Sequence, residues 1–483
     1  MEMVKADIAI YKSDKAEYPS KIGLFRPSEK YPEYLWGDIS DKENNVYYSV
    51  REALHLYGLD EENYGKHSWN PLAGLISENT SVLIKPNLVM DHNRSGDTTD
   101  CLFTNPSVIA PIIDYVIKAQ NGNGKIVIGD APMQECKFDK LIKESGLKDL
   151  VQYYKDKGID ITLVDFRELK SEISFGSHKQ EINERNSGMI IELGEDSEFY
   201  KEDKKNLQRL RITNYDPRRL AAHHNSEKHE YYVSKYLLNA DVVINMPKPK
   251  THRKAGVTIA MKNMVGINTR KEFLPHHTLG DTASGGDEYK HKSILRVLSD
   301  KLYDFKNMKE AEENFLLARP AFFLAYGFKI LANVIHNEPG EGSWSGNHTI
   351  SRTICDLNKI LIYANKDGKM CDKPQRKILN VADMIVSGEK EGPVMPSAKK
   401  LGVIAIGENS LVFDTAIATL MGANIKKIPT IQNALQIEKY AMAKVKSIHI
   451  NSNCKELCGE LEKIDKKNYW NFIPTSGWKD AFN

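Results

Sequence analysis

The sequence predicts an α/β fold, in which helices cover both faces of a mostly parallel or mixed sheet and antiparallel and helical lobes are inserted. Three observations support this prediction. Between residues 81 and 166, apolar β-branched runs alternate with helical patterns, an order typical of parallel sheets. Residues 242–246 form another run that is mostly apolar, as in a strand buried on both faces. Polar residues 167–235 interrupt the pattern and indicate an insertion.

The first α/β segment follows a strand–helix–strand–helix–strand order. Its first helix starts at Asn105-Pro106, because proline is accepted in the first helical turn. Apolar residues at helical spacing continue as far as the glycine-rich turn at residues 121–124. The predicted elements are a strand at 81–84, a helix from 105, a strand at 125–128, a helix near 138–146 and a strand at 159–166.

The other elements are predicted from shorter signals. The inserted lobe is interpreted as antiparallel, with a hairpin formed by residues 189–192 and 209–213. Further predictions are helices at 46–57, 256–265 and 413–420, strands at 401–406 and 445–450, and a helix or strand at 357–363. The chain is divided into a wrapping segment (1–75), a first core part (76–166), a β-rich lobe (167–235), a core strand with a basic motif (236–270), a helical insertion (271–345), a second core part (346–450) and a tail (451–483).

Composition excludes several classes of function. A hydrophobic content of 41% and a charged content of 27% are typical of a globular protein, and a net charge of +2 gives no reason to expect a nucleic-acid partner. The six cysteines match neither a zinc nor a ferredoxin pattern, so we expect no iron–sulfur cluster and a reducing, cytoplasmic location.

No uncharged run reaches the roughly 20 residues that span a bilayer, so no transmembrane segment is expected. The nearest candidate, residues 315–335, contains Arg319, Pro320, Lys329 and Asn333. We therefore predict a buried or amphipathic helix there, with contact to a membrane surface as the alternative.

A basic motif follows the apolar run at 242–246. Pro247 and Pro249 end strand pairing because proline donates no backbone hydrogen bond. If the chain stays extended, Lys248, Lys250 and His252 share one face, whereas in polyproline II geometry they splay apart. The alternative to a site is a solvated basic loop.

Polar residues follow several of the predicted strands, and ligands of parallel sheets bind outside the carboxyl ends of the strands. We therefore expect a crevice that takes a small anionic metabolite, phosphorylated or carboxylated, since lysines suit both groups. Candidate catalytic residues are Lys250, His252 and Lys262. Candidate substrate-binding residues are Lys85, Asn87, Lys248 and Asn263.

Four carboxylates are candidate ligands for a divalent metal, since hard cations prefer oxygen ligands. They are Asp130, Asp383, Glu389 and Glu391. One alternative is that these carboxylates take part in acid–base chemistry. Another is that Asp383 caps a secondary-structure element while Glu389 and Glu391 lie in an ordinary turn.

Recognised catalytic signatures are absent from the sequence. It has no Gly-x-Gly-x-x-Gly, no Walker loop, no Gly-x-Ser-x-Gly elbow and no kinase signature set. These absences argue against the common dinucleotide-dependent and P-loop enzymes.

The sequence resembles the family catalogued as domain of unknown function 362. The residues that carry the resemblance are 82–87, 104–106, 128–130, 244–252, 256–263, Asp383 with 388–393, and Asp414 before Met421-Gly422. The family supplies no activity, but the resemblance implies that its matching Lys, Asn, Asp and His residues line the site. Many relatives carry a ferredoxin-like cysteine segment, which this sequence lacks.

Three classes of function follow. The favoured one is an enzyme that acts on a small anionic metabolite, where lysines hold the anion and His252 or a lysine transfers protons. The second is a redox-linked relative of iron–sulfur proteins without its own cluster. The third is a non-catalytic binding or scaffold component.

Overall fold

The computed structural model describes residues 7–19, 25–174, 177–182, 187–336 and 339–482. Within them the strands are β1 (Ile8–Lys12), β2 (Ser81–Pro86), β3 (Lys125–Asp130), β4 (Ile161–Asp165), β5 (Leu169–Ser174), β6 (Ser177–Ile182), β7 (Gly188–Glu192), β8 (Leu210–Arg211), β9 (Glu230–Ser234), β10 (Val242–Met246), β11 (Lys250–His252), β12 (Gly256–Thr258), β13 (His277–Thr278), β14 (Lys377–Glu391), β15 (Met395–Gly407), β16 (His449–Ser452) and β17 (Gly459–Glu460). The α-helices are α1 (Asn45–Leu56), α2 (Pro106–Ala119), α3 (Phe138–Glu144), α4 (Leu147–Asp156), α5 (Lys204–Leu207), α6 (Pro217–His223), α7 (Lys235–Leu238), α8 (Ala260–Asn263), α9 (Ile294–Ala311), α10 (Phe315–His336), α11 (Thr349–Tyr363), α12 (Ser410–Leu420) and α13 (Pro429–Gln436).

A large mixed sheet forms the centre of the fold. Its strand order is β17-β16-β1-β15-β14-β10-β2-β3-β4, with β11 and β12 attached beside β14. Strands β14, β10, β2, β3 and β4 run parallel, while β15 is antiparallel to β14 and β1. The predicted α/β class is therefore confirmed, and the N-terminal segment contributes strand β1 to the sheet.

Helices cover both faces of this sheet because its central strands are apolar on both sides. In β2, Val82 and Ile84 pack with α1, α2 and α4, whereas Leu83 packs on the opposite side with α11 and α12. All five residues of β10 are buried. The start of α2 is as predicted, with Pro106 in the first turn and the Asn105 side chain accepting from the Ser107 amide.

The hairpin predicted from residues 189–192 and 209–213 is wrong. Strand β7 pairs instead with β9, and β8 pairs with β13 from the following insertion. The alternation of side chains shows which face of a strand is buried, but it does not specify the partner strand. Here Tyr231 and Val233 of β9 supply the buried positions that complete the pair with β7.

The helix predicted at residues 256–265 is shorter than expected, because its first residues form β12, which pairs with β11. Gly256 has a φ of +77°, and an added Cβ would lie 2.7 Å from the Trp478 ring, so only glycine fits this turn. Helix α8 then begins at Ala260, where the amides of Ala260 and Met261 donate to the Asp414 carboxyl group at 2.8 and 3.2 Å.

A hairpin of two long helices, α9 and α10, projects from the insertion between β13 and α11. The two helices pack against each other along their length, and β6 lies beside both. Among the described helices, α10 is long and apolar enough to cross a membrane, judged by length and composition alone.

We expect that replacing Asp414 with alanine lowers the free energy of unfolding by about 2–3 kcal/mol, because two buried amides lose their acceptor. Burial raises the pKa of Asp414 to about 8 despite these hydrogen bonds, so the group is largely neutral at pH 7. The neutral isostere Asp414→Asn should therefore cost less than about 1 kcal/mol. Denaturant unfolding of the three proteins measures this, and equal losses in both variants would contradict the capping role.

Candidate functional site

The candidate site lies where the direction of the strand order changes. From β2 the chain continues to β3 and β4 on one side, whereas β10 and β14 occupy the other side of β2. Such a switch point leaves a crevice outside the carboxyl ends of the strands, where α/β proteins bind ligands. The strand ends that meet there carry Lys85 near the end of β2 and Asn87 just after it, Asp130 at the end of β3, and the basic motif after β10.

A buried ion pair forms the floor of the crevice. The Lys85 ammonium lies 2.8 Å from Asp130 Oδ1, and both side chains are almost fully buried. Lys85 Nζ also donates to the Pro86 carbonyl at 2.8 Å, while Asp130 Oδ2 accepts from the Leu88 amide at 2.7 Å. Burial lowers the pKa of Lys85, and the Asp130 carboxylate opposes this shift. The pair is therefore fixed in place by backbone groups on both sides.

Side-chain amides continue this floor across the strand ends. Lys250 Nζ donates to Asn87 Oδ1 at 2.7 Å, and Asn87 Nδ2 donates to Asn263 Oδ1 at 2.9 Å. Asn263 Nδ2 donates to Asn245 Oδ1, and Asn245 Nδ2 to Asn380 Oδ1, each at 2.8 Å. Each of these donors and acceptors is buried and satisfied, which makes the network rigid.

Above this floor is a cavity of about 470 Å³, closed on one side by the α9–α10 hairpin. Ligand pockets typically have volumes of this size. The polar lining residues from the sheet end are Asn87, Asp130, His252, Lys254, Thr258, Lys262 and Asn263. The inserted segments supply further polar residues, which include Asn214, Lys271, His276, Lys329 and Glu341. They also supply Ile212 and the aromatic side chains of Tyr303, Phe322 and Tyr326.

Three lysines of the cavity have lowered pKa values. Burial is the main cause for each, and it brings the pKa of Lys254 and Lys262 to about 8 and that of Lys271 to about 7. Lys85 lowers the pKa of Lys262 further, because two ammonium groups repel each other. Lys254 donates weakly to Thr213 and Lys271 to the Ala131 carbonyl, at 3.4 and 3.0 Å. Among the described residues, none of the three lysines has a carboxylate within ion-pair distance.

The acidic residues of the cavity form ion pairs with cations other than these three lysines. Glu341 forms an ion pair with Lys329, and Arg253 lies 3.9 Å from it. Burial would raise the pKa of Glu341, but Lys329, Lys254 and Arg253 outweigh burial and keep this pKa well below its usual range. Asp130 is paired with Lys85. The cavity therefore has an excess of positive charge.

Two histidines of the cavity have opposite tautomers when neutral. His252 Nδ1 accepts from the amides of Lys254 and Ala255 at 3.0 and 3.1 Å, so its Nε2 carries the proton. His276 Nδ1 lies 2.7 Å from the Leu274 carbonyl, so Nδ1 carries the proton and Nε2 has the free lone pair. Burial and neighbouring cations lower the pKa of both rings well below 6.5. His252 can thus donate a hydrogen bond, whereas His276 can accept one.

Not all of the residues predicted from the sequence line this cavity. Asn87, Asp130, His252, Lys262 and Asn263 do so, while Lys85 and Lys250 belong to the floor beneath them. Lys248 lies elsewhere, in a fully buried ion pair at 2.9 Å from Asp383. Tyr18 completes that pair, because its hydroxyl donates to Asp383 at 2.7 Å.

The four carboxylates predicted as metal ligands lie in three separate places. Asp130 is in the floor and Asp383 pairs with Lys248, while Glu389 and Glu391 accept from the tail amides of Ile473 and Ser476 at 3.0 and 2.7 Å. Within the part of the chain that the structure describes, no three His, Cys, Asp or Glu side chains are grouped closely enough to hold a metal ion.

Sequence reasoning missed several cavity residues. Lys254 lies two residues after His252. In an extended chain it is therefore on the same face as Lys250 and His252, so the alternation could have predicted it. Lys271, His276, Lys329 and Glu341 come from the insertion, and no local pattern connects them with the strand ends.

Comparison with known proteins agrees with the resemblance of the motifs. The model of the family described as "Domain of unknown function (DUF362)" matches residues 82–187 and 197–419. The "Thylakoid-associated protein sll1697" of Synechocystis sp. is 27% identical over 199 residues, which are 41% of this chain and 42% of that protein. The similarity thus spans less than half of this relative.

We expect that Gly266→Ala lowers the free energy of unfolding by about 3 kcal/mol, because the added methyl group has no room. Its Cβ would lie 1.9 Å from Asp130 Oδ1 and 2.9 Å from Lys85 Nζ, so the buried ion pair would have to move. Gly327→Ala is the matched control, since no atom lies within 4 Å of its added Cβ, and it should stabilise α10 by about 0.5–1 kcal/mol. Equal stability of the two variants would contradict the close packing.

Proposed function

The chain belongs to the DUF362 family, and from the geometry of its site we propose that the cavity binds a small anionic metabolite, phosphorylated or carboxylated, and transfers protons on it. The family description names no activity, so the proposal rests on the residues of the cavity. The observation that carries it is the convergence of Lys254, Lys262 and Lys271 on one cavity without carboxylate partners.

Ammonium groups without a carboxylate partner are unfavourable where burial limits their hydration, and this cost lowers the pKa values of the three lysines. An anion in the cavity would pair with the lysines that it contacts and reduce the cost. Lysine ammonium groups act as point charges that suit phosphate as well as carboxylate. The cost in the free protein therefore supports a ligand that carries more than one negative charge.

Part of the cavity lining is apolar. It comprises Ile212, Phe322 and Tyr326, together with Met133 and Val394. A ligand that fills a cavity of about 470 Å³ would contact both the apolar and the basic parts of the lining. The geometry therefore favours an anionic group attached to an apolar part rather than a bare inorganic ion.

The two histidines support proton transfer on such a ligand. His276 Nε2 has a free lone pair and can accept a hydrogen bond that orients the ligand, whereas the Nε2–H group of His252 can donate a hydrogen bond to a developing negative charge. Lys271, with a pKa of about 7, can exchange a proton at neutral pH. A base and a donor in one cavity favour an enzyme over a passive binding protein.

We expect Lys262→Met to abolish most of the thermal stabilisation that phosphate, pyrophosphate or citrate gives to the wild type, because the nearby carboxylate of Asp130 is paired with Lys85 and leaves Lys262 for the anion. Without ligand, the variant should be more stable than the wild type by about 1 kcal/mol, since a partly buried charge without an ion-pair partner is removed. Thermal shift assays measure both effects. Lys148→Met, at an exposed position of α4, is the control and should change neither quantity.

An unchanged stabilisation in Lys262→Met by an anion that stabilises the wild type would contradict the proposed anchor. If no anion of the series stabilised the wild type, the proposal of an anion-binding cavity would fail.

Binding of sulfate, whose charge is constant near neutral pH, should weaken as the pH rises from about 7 to 9. The free lysines lose their protons in this range, with pKa values of about 7 to 8, and a bound anion raises these values. The complex thus holds more protons than the free protein, so the dissociation constant increases by up to about tenfold per pH unit for each proton taken up.

The stability of the ligand-free protein should change in the opposite direction. Between pH 8 and 10.5 the unfolded chain keeps its lysines protonated while Lys254 and Lys262 are neutral in the fold, so their contribution to the free energy of unfolding rises with pH. Calorimetric titrations and thermal melts over this range test the two trends, and a sulfate affinity independent of pH would contradict the assignment of these lysines.

A further inference from the structure

Helix α10 has an inverted distribution of side chains. Its buried positions are alanines, Ala318, Ala321, Ala325 and Ala332, whereas most of its bulky apolar residues are exposed. Leu316 is 84% exposed, Phe323 62% and Val334 74%. A surface helix in water normally turns its large apolar side chains toward the core. Small residues between helices with bulky residues outside are instead typical of helices that pack in lipid.

Helix α9 also exposes bulky apolar residues. Ile294 is 75% exposed, and Val297, Leu298 and Phe305 are exposed on the same side of the helix. These residues recur at intervals of three, four and seven, so they form one stripe along α9. We refer to the exposed apolar residues of the two helices as the apolar face of the hairpin, and along α10 it extends over about 33 Å, the length of the 22 residues of this helix. Faces of this size on soluble proteins mark interaction sites.

The basic and acidic residues of the hairpin lie in different places. Its basic residues Lys301 and Arg319 are exposed on the two helices, and Lys290 and Lys292 are exposed just before α9. The acidic residues of α9 turn toward the protein, where Asp304 pairs with Arg211 at 2.9 Å and Glu310 pairs with Lys306 at 2.8 Å. Exposed acidic residues of the hairpin, Glu312 and Glu313, lie at the turn, where the apolar face ends.

We propose that the apolar face of the α9–α10 hairpin docks on a lipid bilayer that contains anionic lipids. Lysine and arginine side chains among exposed apolar residues favour this occupant, since they reach anionic headgroups while the apolar side chains enter the acyl region. The hairpin lies on the bilayer and does not cross it. Helix α10 is tied to the body of the protein because Lys329 pairs with Glu341, and it is tied to α9 because Asn333 accepts from Arg296 at 3.3 Å.

Docking brings the membrane close to the cavity. Phe322, Tyr326 and Lys329 are on the inner side of α10 and line the cavity wall. The bilayer would therefore be one helix diameter, about 10 Å, from the cavity.

Vesicle flotation of the full chain tests the proposal. The wild type should float with vesicles of phosphatidylcholine and phosphatidylglycerol, and less with phosphatidylcholine alone. Phe323→Glu/Val334→Glu should reduce the bound fraction about tenfold or more, because two carboxylates replace apolar side chains that enter the bilayer. The substituted residues are exposed, so the melting temperature should stay unchanged. Leu435→Glu, at an exposed leucine of α13, is the matched control and should float like the wild type.

A second variant tests the charge. Lys290→Glu/Lys292→Glu should abolish the preference for phosphatidylglycerol while leaving the weaker binding to phosphatidylcholine. No flotation of the wild type, or equal flotation of the Phe323→Glu/Val334→Glu variant, would overturn the proposal. It would also be overturned if light scattering showed a wild-type dimer that this variant disperses, since a second copy of the chain would then cover the face.

Discussion

The buried ion pair between Lys85 and Asp130 is the constraint on which the rest of the site depends. Two opposite charges at the carboxyl ends of adjacent strands stay ionised in a dry interior only if backbone groups and further side chains complete their hydrogen bonding. The Pro86 carbonyl and the Leu88 amide do this locally, and Asn263 does it from α8. This requirement explains why Gly266, in the turn that follows α8, presents a bare backbone to the pair.

The asparagine network transmits this constraint across the sheet. Asn87, Asn245, Asn263 and Asn380 come from four separate parts of the chain, and each amide satisfies the next. A neutral amide is suited to this position because it both donates and accepts, so the chain of hydrogen bonds needs no additional charge. The network thus holds β2, β10, α8 and β14 in register beneath the cavity. The lysines above it take no part in this network, since Lys254 donates to Thr213 and Lys271 to the Ala131 carbonyl.

The sequence predicted the parts of the structure that local physics determines. Strands β2, β3 and β10 were recognisable because buried parallel strands are continuous apolar runs, and the start of α2 was set by Pro106. The partner strand of β7 could not be predicted from the sequence. Pairing between strands about 40 residues apart depends on which faces meet in the folded protein. The basic motif was predicted as one site, yet Lys248 pairs with Asp383 while His252 lines the cavity. The prolines allowed both extended and splayed geometries, and only the packing of Asp383 and Tyr18 against Lys248 selects between them.

The insertions complete the cavity. The strand ends supply Lys262 and His252, but Lys271, His276 and the aromatic part of the lining on α10 come from residues 271–345. Without this insertion, the cavity would be open on that side. Helix α10 closes it with one side and presents bulky apolar residues on the other. Because Lys329 connects α10 to Glu341, and Glu341 acts on the pKa of Lys254, a displacement of the hairpin would change the electrostatics of the cavity. The same helix thus connects the outer surface of the protein to the charge state of Lys254 in the cavity.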